Sequence, residues 1–132
     1  MINKDNLIED HRNVAAYVRV SSQKQVEGYS LDAQMYDIKR DIYIKNLISS
    51  ENELIEYRDE GRSGKNMNRE GIQKLIEDIK QNKIKIVYIW KIDRVSRDIA
   101  DFSTFLKLLE EYKVSLMAVK STIDHENQLV DL

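Results

Sequence analysis

The chain has 132 residues, 42% of them hydrophobic and 33% charged, which fits one soluble globular domain with a single sizeable core and leaves no room for a second. Zero cysteines exclude disulfides, thiolate zinc sites and cysteine nucleophiles, and two histidines at opposite ends of the chain, His11 and His125, exclude a histidine-rich metal cluster. The net charge of −2 is not that of a domain that grips nucleic acid by itself, so any phosphate chemistry must rest on a local basic cluster.

The apolar run Ile86 to Trp90, which no other run exceeds, is far short of the roughly 20 residues of a membrane span. The N-terminus has no apolar stretch behind a basic start, so a cytoplasmic location is expected. In chain order, Val14 to Val20 reads as a buried strand, rich in β-branched and aromatic residues. After a polar segment, Ser21 to Tyr29, Ser30 is placed to cap a helix whose apolar residues Leu31, Met35, Ile38 and Ile42 recur at helical spacing. Leu54 to Arg58 is a second strand, followed by a turn-rich segment, Asp59 to Gly64. Ile72, Leu75, Ile76 and Ile79 form a one-faced helical stripe. Ile84 to Trp90 is the third strand. The stripe Ile99, Phe102, Phe105, Leu106 and Leu109 predicts a helix with Asp98 as its N-cap, and Val114 to Val119 a fourth strand.

Strands alternating with helices predict an α/β fold: a three-layer sandwich around a mainly parallel sheet of about four to five strands. In such sheets the functional crevice lies beyond the carboxyl ends of the strands. Three loops meet there: Ser21 to Tyr29, Asp59 to Arg69, and Lys91 to Asp98.

Taken singly, each loop has an ordinary explanation. Ser21 or Ser22 can simply turn the chain after a strand, and the charged run from Lys91 to Asp98 can be a solvated surface. Gly61-Arg62-Ser63-Gly64-Lys65 is not a nucleotide phosphate loop, because the four-residue spacer is missing and Asn66 stands where a magnesium-binding hydroxyl is needed. Convergence weakens the ordinary readings. Four of the eight arginines, Arg19, Arg69, Arg94 and Arg97, fall on loops at the same predicted edge as Ser21. A hydroxyl beside arginine forks suits phosphoryl transfer, with the growing charge neutralised by guanidinium groups. Asp93 and Asp59 suit the orientation of those arginines better than the holding of a metal.

Tyr17-Val18-Arg19-Val20-Ser21, Ser30-Leu31-Asp32-Ala33-Gln34, Asp59-Glu60-Gly61-Arg62-Ser63-Gly64, Arg69 and Ile92-Asp93-Arg94-Val95-Ser96-Arg97-Asp98 together resemble the catalytic domain of a serine recombinase of the resolvase and invertase family. The resemblance spans about Val14 to Asp124. The long spacer Gln23 to Tyr29 is more similar to the large serine recombinases, which include phage integrases and mobile-element transposases.

The resemblance implies a serine that cleaves DNA through a 5′-phosphoserine and is displaced when exchanged strands are rejoined. It assigns Ser21 as nucleophile, in preference to Ser22 or Ser96. Arg19, Arg69, Arg94 and Arg97 become phosphate-binding arginines, Asp93 their acidic companion, and Gln34, Asp59 and Ser63 supporting residues. It implies neither cofactor nor metal and no small-molecule substrate. The expected partners are DNA, a second copy in a homodimer and a synaptic homotetramer, with no membrane. It divides the chain into an N-terminal extension, 1–13, a catalytic domain, 14–124, and residues 125–132 as the start of a linker toward a dimerisation helix and DNA-binding region. Two rivals use the same edge differently: a recombinase-like assembly module that does not cut, and a receiver-like domain, which needs clustered acids where Arg19 and Ser21 stand.

Overall fold

The computed structural model describes residues 10–20, 30–60, 70–91 and 99–120. Strand β1 (Asn13–Val20) leads to helix α1 (Leu31–Ile44), and a 3-10 turn (Glu51–Glu53) precedes β2 (Leu54–Glu60). Helix α2 (Glu70–Lys80), β3 (Ile84–Lys91), α3 (Ile99–Glu111) and β4 (Ser115–Lys120) follow. The strands form one parallel sheet in the order β2-β1-β3-β4. The chain therefore leaves β1 in one direction to reach β2 and in the other to reach β3, and the reversal puts a topological switch point between the carboxyl ends of β1 and β3.

Side-chain alternation along the strands divides the core. Val14, Ala16 and Val18 of β1, with Ile86, Tyr88 and Trp90 of β3, pack against Met35, Ile38 and Ile42 of α1. Ala15 and Tyr17, with Val87 and Ile89, face Ile72, Leu75 and Ile79 of α2 and Phe105 and Leu109 of α3. Both central strands are buried on both faces, which is why they read as continuous apolar runs. The expected three-layer α/β sandwich is present, with four strands in the described residues.

Polar ties set how α1 sits on the sheet. The Trp90 indole Nε1–H donates to Asp37 Oδ2 (3.1 Å), and the Tyr88 hydroxyl donates to Asp41 Oδ2 (2.9 Å) while accepting from Lys45 Nζ (2.8 Å). Asp37 and Asp41 lie one turn apart on the helix, and Tyr88 and Trp90 two residues apart on the strand, so two hydrogen bonds fix the helix along its axis. At the opposite end of the sheet, Arg12 donates from Nη1 to the Tyr112 carbonyl (3.0 Å) and from Nη2 to the Lys113 carbonyl (3.1 Å), satisfying groups left open at the end of α3. Asp10 grips the same guanidinium at 2.7 Å.

The helix cap at Ser30 is as expected: its hydroxyl accepts from the Ala33 amide at 3.1 Å. The Asp98 cap lies outside the described residues. One boundary differs in a way that matters for the site. β2 does not stop at Arg58 but continues to Glu60, because its ladder with β1 runs through Arg19↔Asp59 and Val20↔Glu60. Asp59 is thus a strand residue and not a turn residue.

Candidate active site

Of the residues assigned from sequence, Arg19, Gln34 and Asp59 lie within the described part of the chain. Ser21, Ser63, Arg69, Asp93, Arg94 and Arg97 lie outside it. The three that are described converge on the carboxyl end of β1.

Arg19 is 1% exposed, an unusual degree of burial for arginine. Its register partner across the ladder is Asp59, itself 6% exposed, so the two side chains leave the sheet on the same face, the one covered by α2 and α3. From the other face Gln34, fully buried on α1, donates its Nε2 to the Arg19 carbonyl oxygen at 3.1 Å. The backbone two residues before Ser21 is therefore held from the helix side while the guanidinium is held in the interior.

Asp59 has a well-defined structural task. Its Oδ1 accepts from the Gly71 amide (2.7 Å), and its Oδ2 from the Ile72 amide (2.9 Å) and the Tyr17 hydroxyl (2.8 Å). A carboxylate at that point satisfies orphan amides in the first turn of α2 and meets the positive end of the helix dipole. Gly71 makes the approach possible: a Cβ there would lie 2.6 Å from the Arg58 carbonyl oxygen and 2.8 Å from Asp59 Oδ2. Arg69 directly precedes this helix in the sequence.

Sequence reasoning gives Asp59 a supporting place but misses Tyr17 and Gly71. Tyr17 passes for one more apolar strand residue, although a phenol two positions before a buried arginine signals a polar partner at the strand end. Gly71 passes for an ordinary residue near a helix start. Among the described residues no group of three or more histidine, cysteine, aspartate or glutamate side chains is arranged to hold a metal ion. Their helices include none long and apolar enough to cross a membrane.

Known proteins share this fold. Residues 14–131 match the profile of the resolvase N-terminal domain. The N-terminal catalytic domain of TP901-1 integrase superposes with a TM-score of 0.68 at 26% identity, covering 82% of this chain and 77% of that one. The C-terminal catalytic domain of ISC1926 TnpA, an IS607-like serine recombinase, gives 0.69 at 26% identity, covering 83% and 72%. A putative DNA recombinase of Bacillus subtilis (strain 168) is 34% identical over 85 residues, which is 64% of this chain and 16% of that protein. Two putative resolvases of Acanthamoeba polyphaga mimivirus are matched over 59% of their length, so the chain spans less than two thirds of these curated relatives. With the profile match running over nearly all of the sheet and its helices, the chain belongs to the resolvase family and has the fold of a serine recombinase catalytic domain.

Proposed function

We propose that this chain is the DNA-cleaving and rejoining domain of a site-specific recombinase, with Ser21 as nucleophile. The Ser21 oxygen attacks a DNA phosphorus, the bond to the 3′ oxygen breaks, and a 5′-phosphoserine forms while the leaving oxygen takes up a proton. The 3′ hydroxyl of the exchanged strand then attacks the same phosphorus and releases the serine. Arg19, Arg69, Arg94 and Arg97 balance the charge on the non-bridging oxygens, and Asp93 orients the arginines beside it. Gln34 and Asp59 are positioning residues: one holds the backbone ahead of Ser21, the other the helix start behind Arg69. Ser63 lies between Asp59 and Arg69 in the sequence. The reaction needs no metal or cofactor, and its partners are DNA and further copies of the protein.

The observation that carries this reading is the buried Arg19 at the switch point, with Gln34 on its carbonyl and Asp59 as its register partner. An arginine is costly to bury for packing alone, and here it stands two residues before a serine in a family of DNA recombinases. The test is to incubate the full-length gene product, wild type and Ser21→Ala, with duplex carrying its recombination site and resolve the products on denaturing gels. A 5′-linked adduct present with wild type and absent with the variant is expected. An adduct that survives the substitution moves the chemistry elsewhere, and specific binding without any adduct supports the non-cutting assembly module.

A further inference from the structure

At the carboxyl ends of β3 and β4, Lys91 and Lys120 are direct register partners. Like charges placed directly opposite one another on neighbouring strands repel and are destabilising. Here both ammonium groups instead gather on one indole, Lys91 Nζ at 5.6 Å and Lys120 Nζ at 5.9 Å from the centroid of the Trp90 ring. The ring is held in turn, with its nitrogen edge donating to Asp37 and its body packed into the core beneath α1. Lys120 is exposed and Lys91 half-buried, so the two cations stand at the rim and the aromatic platform in the interior.

We propose that Lys91 and Lys120, assembled on Trp90, form a contact for the DNA sugar–phosphate backbone beside the cleavage site. The inference rests on the recombinase reading given above and extends it to residues outside the serine and arginine set. Three features support it. The pair stands at the carboxyl end of the sheet, as Arg19 does, and Lys91 directly precedes in sequence the segment that carries Asp93, Arg94 and Arg97. In a chain of net charge −2, two cations held together are a local feature and not the general surface. A phosphate relieves their mutual repulsion, and lysine, a point charge on a flexible stem, suits contacts that position a backbone without reading its sequence.

Trp90 is the only tryptophan in the chain, so its emission reports directly on the ammonium groups over its ring. The test titrates this chain with a short mixed-sequence duplex over a range of salt. Tryptophan emission is read with unlabelled duplex and binding by anisotropy with labelled duplex, for wild type and for Lys91→Gln/Lys120→Gln; Lys120→Gln alone serves as the second variant should the pair perturb folding. Binding by wild type is expected to change Trp90 emission. Removing both lysines should abolish the change and lower the slope of log K against log salt by about 1.8, at about 0.9 per phosphate neutralised, and removing Lys120 alone by about half that. Equal slopes for wild type and variants, or binding that leaves wild-type Trp90 emission unchanged, overturn the proposal. If this chain fails to bind, or binds in that way, while the full-length product still forms the Ser21 adduct, the recombinase reading stands and only this contact falls; if the full-length product neither binds nor cleaves DNA, both fall.

Discussion

Arg19 and Asp59 face each other across β1 and β2 as register partners, both more than nine-tenths buried, at the end of the sheet where the chain departs toward Ser21 on one side and Arg69 on the other. The pairing places a cationic and an anionic side chain on one face at the same level of the fold. Asp59 spends its acceptors on the start of α2 and on the Tyr17 hydroxyl. Stability and site geometry are therefore joined at this carboxylate, and substitutions around it should be read by melting as well as by cleavage.

Asp59→Ala leaves two helix amides and a buried phenol without their acceptor, and each buried donor left open costs roughly 1–3 kcal/mol. The variant should melt well below wild type and, if it is folded at the assay temperature, cleave more slowly. Tyr17→Phe removes one donor only and should cost about 1 kcal/mol. Denaturant unfolding of the two variants side by side checks the ordering. Equal losses would mean that the helix amides contribute nothing.

Gly71→Ala inserts a methyl group 2.6 Å from the Arg58 carbonyl oxygen. Strand β2 and helix α2 must then separate, at a cost of about 1–3 kcal/mol, the usual range for overpacking. Thermal melts of Gly71→Ala and of the exposed control Glu77→Ala distinguish this steric effect from a general helix effect, since alanine is a favourable helix residue.

Leu109 packs α3 against the sheet and is 3% exposed. Leu109→Ala should cost roughly 2–5 kcal/mol through lost burial and a residual cavity. An unchanged melt would contradict the packing face read from the stripe of apolar residues.

Two carboxylates set an acid limb. The Arg12 guanidinium holds Asp10 below its ordinary value of 3.8, and Lys39, with help from Arg58, holds Glu56 below 4.5. Both groups bind protons more weakly folded than unfolded, so their contribution is complete above the unfolded values and is lost as pH falls through the lowered folded values. Unfolding free energy should therefore decline as pH falls below about 5, and Asp10→Asn should flatten that decline. At the alkaline end the sign reverses. Burial raises the hydroxyls of Tyr57 and Tyr88 above the usual 10, assisted by Asp78 and Asp41, so the native state keeps protons that the unfolded state releases and stability falls above that pH. Equilibrium unfolding across the pH range measures both limbs.

Much of the scaffold is legible in the linear sequence because both central strands are apolar throughout and each helix has a single apolar stripe. Ser30 is legible as a cap because its hydroxyl acts locally. What is not legible depends on partners distant in sequence. The last two residues of β2 form strand because β1 continues beside them, and nothing in Asp59-Glu60 itself favours strand. The ties from Trp90 and Tyr88 to Asp37 and Asp41 each cross more than forty residues and look like two unrelated aromatic and acidic positions until the helix lies on the sheet. Of the candidate site, the end of the sheet that Arg19 occupies is readable in advance, whereas the way Asp59 and Gln34 fasten backbone is visible only in three dimensions.

The contacts of Asp59 also have a mechanical consequence. By gripping the side chain of Tyr17 and the first amides of α2 together, the carboxylate welds the departing end of one strand to the start of a helix more than fifty residues later. Sliding one past the other would strip a buried anion of its donors, so the two travel as a single piece.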